Sequence, residues 1–222
     1  MTWPSLLVLV RHAESDGNVR TIEERVAYPL PTHAYPLTER GRAQARITGA
    51  YLRETYGAFD VYYTSYYARA QETMRLMYPD ARVYDEEPRL REAERGIWAT
   101  MTEAQIAARF PEEIERKKKE GLYHYRPIGG QNWPDIEERA HSFLGTLRRD
   151  CGRKKVLVVV HGHWLINCQR LIHHFPIEEA LRRYREAGAP NASVTVYRGA
   201  PRWSRRRLVL ETQHLTPWEG KL

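Results

Sequence analysis

Five consecutive aliphatic residues, Leu6-Leu7-Val8-Leu9-Val10, constrain this chain more than any other feature. A strand with one wet face alternates apolar and polar side chains. An unbroken apolar run instead needs cover on both faces, as in a parallel sheet between two layers of helices. Val156–Val160 repeats the pattern, Val61-Tyr62-Tyr63-Thr64 shortens it, and Ser193–Tyr197 and Leu208–Leu210 are fainter versions. Helical stretches separate these runs. Thr38–Tyr56 sets Ala45, Ile47, Tyr51, Leu52 and Tyr56 on one stripe, and Tyr67–Met77, Thr102–Arg109, Ile136–Arg149 and Leu165–His174 follow. Strand–helix alternation predicts an α/β chain, a three-layer α/β/α sandwich with a mainly parallel sheet. No repeat or linker interrupts it, so residues 1–222 read as one domain.

Two excursions break the rhythm. Residues 21–36 carry Pro29, Pro31 and Pro36 and read as a long surface loop; residues 87–130 read as short charged helices ending at Gly129-Gly130. Long excursions from a compact fold commonly form lids or substrate-binding loops.

Composition excludes several classes. With 42% apolar and 11% aromatic residues the chain can build a core. No apolar run approaches the roughly 20 residues of a membrane helix, and the first residues show no secretory signal. Two cysteines, Cys151 and Cys168, make no disulfide framework and suit a reducing, cytoplasmic compartment. The net charge of +7 is compatible with nucleic acid, anionic lipid or phosphorylated small molecules. Its dense runs, Arg116–Lys119 and Arg202–Arg207, read first as solvated faces.

Chemistry concentrates where the best strands end, the edge at which α/β sheets bind ligands. The first strand runs into Arg11-His12-Ala13-Glu14-Ser15-Asp16-Gly17-Asn18, and Val156–Val160 runs into His161-Gly162-His163. Val61–Thr64 leads into Ser65, with Arg69 a helical turn later. Arginine forks match phosphate oxygens, and a neutral imidazole can attack phosphorus and carry the phosphoryl group.

Arg11-His12-Ala13-Glu14 with Asn18 resembles the Arg-His-Gly-Glu signature of the histidine phosphatase superfamily, the phosphoglycerate mutase-like proteins. Leu37-Thr38-Glu39-Arg40-Gly41, Ser65 with Arg69-Ala70-Gln71-Glu72-Thr73, Leu90-x-Glu92-x-x-x-Gly96 and His161-Gly162 follow in that family's order. The resemblance implies a phosphoglycerate mutase-like fold and a metal-independent phosphomonoesterase without a cofactor. His12 would be the nucleophile, and Arg11 and Arg69 would clamp the phosphate. His161 would donate to the phosphoryl group, with Gly162 beside it, and Asn18 would help bind phosphate or substrate. Glu92 would protonate the leaving oxygen and then activate water. The partner implied is a small phosphate ester; nucleic acid is disfavoured, no membrane is expected, and self-association stays open.

Plainer readings stand beside these. Arg69 could pair with Glu72 instead of phosphate, and Glu86, Glu87 or Glu94 could serve in place of Glu92. Ser15 reads as a loop hydroxyl or helix cap. His161-x-His163 is half of a zinc site without a recognisable remainder. The chain also departs from the family pattern. Ala13 stands where Gly is usual, Gln131-Asn132 where Glu-Ser is common, and His163 where a small residue is more usual. Asn191-Ala192-Ser193 resembles a late segment bordering the family's pocket. Mutases of that family hold the substrate carboxylate with basic residues on a longer excursion. This chain has Arg116–Lys119 and Arg126 there without the accompanying Pro-rich stretch, and its shorter excursion implies a more open site that favours hydrolysis. A non-catalytic module binding nucleic acid through Arg202–Arg207 and Trp203 is a third possibility.

Overall fold

The computed structural model describes residues 2–84, 87–186, 188–200 and 208–222. The run Arg202–Arg207 with Trp203, and Glu86, lie outside the described residues.

The strands are β1 (Leu6–Arg11), β2 (Val61–Thr64), β3 (Val83–Tyr84), β4 (Lys155–Val160), β5 (Val194–Gly199) and β6 (Leu208–Leu215). They form one sheet in the order β3-β2-β4-β1-β5-β6. β3, β2, β4 and β1 pair in parallel, while β5 and β6 add antiparallel. The helices are α1 (Asp16–Val19), α2 (Ile22–Val26), α3 (Glu39–Tyr56), α4 (Ala68–Met77), α5 (Ile97–Thr100), α6 (Glu103–Arg109), α7 (Pro111–His124), α8 (Trp133–Asp150), α9 (Gly162–His173) and α10 (Ile177–Glu186), with 3-10 turns at Thr32–Ala34 and Pro88–Leu90.

The apolar runs divide as expected of strands covered twice. Leu7 and Leu9 of β1 with Val156, Val158 and Val160 of β4 pack under Phe143 and Leu147 of α8 and Trp164 of α9. Leu6, Val8 and Val10 with Leu157 and Val159 pack under Leu52 of α3 and Met74 and Met77 of α4. The chain is therefore a three-layer α/β/α sandwich. Among the described residues no helix is long and apolar enough to cross a membrane.

The excursions correct the sequence reading. Residues 21–36 are not a plain loop: Thr21 accepts from the amide of Glu24 and the Glu24 carboxylate accepts from the amide of Thr21, a capping box that starts α2. In the second excursion α7 is the longest helix, and α2 and α5, one from each excursion, pack together. α7 falls in the stretch read as short charged helices, while β3 and α10 carry no reading in the sequence analysis.

Candidate active site

Because β2, β4 and β1 are parallel neighbours, their carboxyl ends lie on one edge, and that edge assembles the site. The amide of His12 donates to the carbonyl of Val160 (2.8 Å) and that of Ser65 to the carbonyl of Val159 (3.1 Å). His12, Ser65 and His161 therefore leave the sheet side by side.

His12 is held as one tautomer. A carbonyl can only accept, so Nδ1 donates to the oxygen of Ala13 at 2.7 Å. Nε2 keeps its lone pair and accepts from Nε of Arg69 at 3.2 Å. Burial, then the charges of Arg69, His161 and Arg11, hold this imidazole well below its ordinary pKa, so it is neutral. Arg69 is buried, donates to the carbonyl of Thr32 at 2.7 Å and lies 4.7 Å from the Tyr67 ring centroid. Its contact is not Glu72. That carboxylate accepts from the amide of Leu37 and from Arg42, tying the loop before α3 to α4. Arg11 donates to the carbonyl of Ala189 and leaves a buried Nε without a partner among the described residues.

Glu92 is the carboxylate that reaches the cavity. Burial pushes it up, but His163 (Nδ1 to Oε1 3.6 Å), His161 and the amide of Ala93 outweigh burial and hold it well below the usual range. Its rivals are engaged elsewhere: Glu94 accepts from the Tyr67 hydroxyl at 2.6 Å, and Glu87 pairs with Arg89. Asn18 accepts through one oxygen from Ser15 N, Ser15 Oγ and Asn191 Nδ2, which leaves its own Nδ2 as a donor.

Arg11, His12, Asn18, Arg69 and Glu92 line one cavity of about 180 Å³. His161 does not line it. It is wholly buried behind His12, with ring centroids 5.1 Å apart and Nε2 2.8 Å from Ser65 Oγ. Ser65 accepts from the amide of Tyr67. The other ring nitrogen of His161, Nδ1, is buried and has no hydrogen-bond partner among the described residues. Gly162 lines a neighbouring recess, which shares Arg11, Glu92 and His163 with the main cavity.

The departures resolve locally. Ala13 does not adopt a positive φ, so its methyl costs little. Gln131 accepts from Arg139 and Asn132 caps α8, so neither lines the cavity. Asn191 donates to the His12 carbonyl at 3.0 Å, bracing the turn that carries His12. His161 and His163 serve different partners, Ser65 and Glu92. Among the described residues no three or more His, Cys, Asp or Glu converge as metal ligands.

A family model, the histidine phosphatase superfamily (branch 1), matches residues 7–209. The chain belongs to this superfamily. It is 32% identical to a 2,3-bisphosphoglycerate-dependent phosphoglycerate mutase of Methylobacterium radiotolerans over 72% of this chain and 75% of that protein. It is 34% identical to phosphoglycerate mutase-like protein AT74H of Arabidopsis thaliana over 66% of this chain, which spans 54% of that longer protein. The solved alpha-ribazole phosphatase of Shigella flexneri shares the fold, with a TM-score of 0.75 at 21% identity over 95% of this chain and 96% of that one.

The sequence analysis missed several cavity residues of this histidine phosphatase superfamily member. Tyr67 touches both Arg69 and His161, while Arg25, Arg95, Trp98 and Tyr184 complete the walls. Only their place on the two excursions, or beside a recognised motif, pointed to Arg25, Arg95, Trp98 and Tyr67, and nothing in the sequence pointed to Tyr184 on α10.

Proposed function

We propose that this chain hydrolyses phosphate monoesters through a phosphohistidine on His12. The observation that carries the reading is the His12 ring itself, with Nδ1 fixed on a carbonyl and Nε2 lone pair available beside Arg69. Nε2 attacks phosphorus, the P–N bond forms and the ester P–O bond breaks. Arg11, Arg69 and the side-chain amide of Asn18, which line the cavity, receive the charge on the phosphoryl oxygens, while His161 stays buried behind His12. Gly162 lies beside the Arg11 guanidinium, where a Cβ would make only ordinary van der Waals contact at 3.7 Å.

Glu92 supplies the proton to the leaving oxygen. It is ionised in the free protein, and the approach of an anionic phosphate raises its affinity for the proton it then donates. Afterwards the carboxylate takes a proton from water, whose oxygen attacks phosphorus; the P–N bond breaks and its electron pair returns to Nε2. The Glu92 side chain keeps 20% of its surface exposed, so water reaches it. That exposure supports hydrolysis over transfer to a second hydroxyl.

Mutase-type transfer is the second reading, favoured by the identity to the Methylobacterium enzyme. Metal-free release of phosphate from an aryl phosphate, with an acid-labile phosphoenzyme, is expected for the wild type and lost in His12→Ala. Wild-type protein with neither would overturn both readings. Conversion of 3-phosphoglycerate primed with 2,3-bisphosphoglycerate, outpacing hydrolysis, would replace phosphatase by mutase.

A further inference from the structure

Glu92 starts ionised, yet the proposed hydrolysis asks it to deliver a proton. One side chain stands where it can supply that proton. Of the residues that depart from the family pattern, Ala13, Gln131, Asn132 and His163, only His163 lines the cavity. It occupies the first turn of α9, and its Nδ1 lies 3.6 Å from Oε1 of Glu92. The same oxygen accepts from the amide of Ala93 at 3.0 Å, so the carboxylate edge facing the ring is held by backbone. The ring is held as well. Trp133 of α8 meets it edge-on with centroids 5.9 Å apart, and Tyr184 of α10 lies 4.4 Å away.

The pair stands where two openings meet. His163, Glu92, Arg11 and Tyr184 line both the main cavity and the neighbouring recess. His163 keeps 21% of its side-chain surface exposed and Glu92 20%, so both exchange protons with water. The surrounding charges are mixed. Arg11 acts on Glu92 from β1 and His161 from behind His12; Arg25 and Arg95 line the main cavity; Arg185 and Glu186 of α10 line the recess. The N-terminal end of α9 places partial positive charge beside the ring, which favours release of a proton from it. The facing carboxylate favours its retention. These opposed influences suit a proton that is held and then passed on.

We propose that His163 positions Glu92 and shares one proton with it, supplying through Nδ1 the proton that Glu92 delivers to the leaving oxygen. The proposal rests on the hydrolytic reading for the use of that proton. The negative charge of an arriving phosphate destabilises the carboxylate beside it and draws the proton across. The N–H bond breaks, its electron pair stays on Nδ1, and an O–H bond forms at Oε1. The carboxyl gives this proton to the leaving oxygen as the ester P–O bond breaks. Later the carboxylate takes a proton from the attacking water and passes it back to Nδ1. The pair ends each turnover as it began, and no solvent proton is needed between the two half-reactions.

Two esters separate this role from a structural one. Benzyl phosphate releases an alkoxide that needs a proton, whereas 4-nitrophenyl phosphate releases a stable anion that does not. The ratio of kcat/KM for the nitrophenyl ester over the benzyl ester should widen about tenfold or more in His163→Gln, a share of what general acid catalysis contributes. Glu92→Gln should widen it too, and the double variant should widen it little further, because His163 acts through Glu92. Turnover of the nitrophenyl ester by the variants shows that fold and His12 are intact. With benzyl phosphate the alkaline limb of kcat/KM should begin at lower pH in His163→Gln, where the carboxylate must find its proton in solvent. Histidine 15N NMR reads the pair without turnover: the His163 ring should titrate at lower pH in Glu92→Gln, which lacks the facing charge. A ratio that moves less than about threefold in His163→Gln, or a ring titration indifferent to Glu92→Gln, overturns the relay. A coupled titration with no turnover of either ester by wild type overturns the hydrolytic reading and keeps the proton couple; turnover with an uncoupled titration does the reverse.

Discussion

His12 shows how few atoms prepare an imidazole for the proposed attack on phosphorus. The Ala13 carbonyl fixes the tautomer, and Arg69 both marks the lone pair and suppresses protonation. Arg69 does this from three sides: Nε meets His12, Nη1 meets the Thr32 carbonyl, and the plane lies near the Tyr67 ring. A lysine keeps the charge but cannot hold three directions at once. Arg69→Lys should therefore lower kcat/KM for phosphate esters by about a hundredfold or more, the range for losing one preorganised transition-state donor. Steady-state kinetics with an aryl phosphate measures this, and a loss under threefold would remove Arg69 from the phosphate clamp. Thr73 is a quieter support. Its hydroxyl donates to the Arg69 carbonyl at 2.7 Å and accepts from the Ala13 amide at 3.0 Å, joining nucleophile loop to clamp. Thr73→Val leaves that buried amide unpaired and should cost about 1–3 kcal/mol in urea unfolding.

At the scale of elements, motif residues that touch no substrate become intelligible as scaffolding. Thr38 caps α3 by accepting from the Gly41 amide and also donates to the Glu14 carboxylate at 2.8 Å. A side chain on Gly41 would place Cβ 1.9 Å from the Glu14 carbonyl, backbone that cannot move without dragging the His12 turn. Gly41→Ala should cost about 1–3 kcal/mol and lower the activity of the folded fraction. Gly145→Ala, on α8 where a Cβ meets nothing within 4 Å, should instead add about 0.5–1 kcal/mol. Thermal unfolding of the pair separates space from glycine content. These elements also mark what the sequence could and could not reveal. β1, β2 and β4 were legible because burial on both faces leaves an unbroken apolar signature, and parallel pairing then puts His12, Ser65 and His161 together. Of β3, only two residues long, there was no pattern to read. The antiparallel arrangement of β5 and β6 depends on pairing partners, which local pattern does not encode. The helix α2 hid among prolines because its signal is a capping box, Thr21 with Glu24, instead of an apolar stripe. Arg25 and Arg95 were illegible as a pair, because only the packing of α2 on α5 makes them neighbours.

For the molecule as a whole, assembling the site inside a dry sandwich has a cost that pH exposes. Burial first, reinforced by arginine charge, holds His12 and His161 well below the ordinary histidine value, and burial lowers His214. In the unfolded chain each titrates near 6.5. Below that pH the unfolded state takes up protons that the folded state refuses, so unfolding is favoured as pH falls. The stability is therefore fully present above about pH 6.5 and declines on acidification, by up to about 1.4 kcal/mol per pH unit for each histidine that stays neutral when folded. Glu92 acts in the same direction lower down. Its folded carboxyl lies below its unfolded value, so its contribution is present above about pH 4.5 and is lost beneath it. Urea unfolding between pH 5 and 8 should show a steep fall below 6.5, and His161→Asn should flatten it by about one proton's worth of slope. Activity should respond differently over the same interval. The lone pair of His12 persists in the folded protein at pH values where the unfolded chain is already protonated. The acid limb of kcat/KM should then lie below 6.5 for as long as the protein stays folded, and a limb at or above 6.5 would mean that His12 is not held as the neutral ring its contacts require.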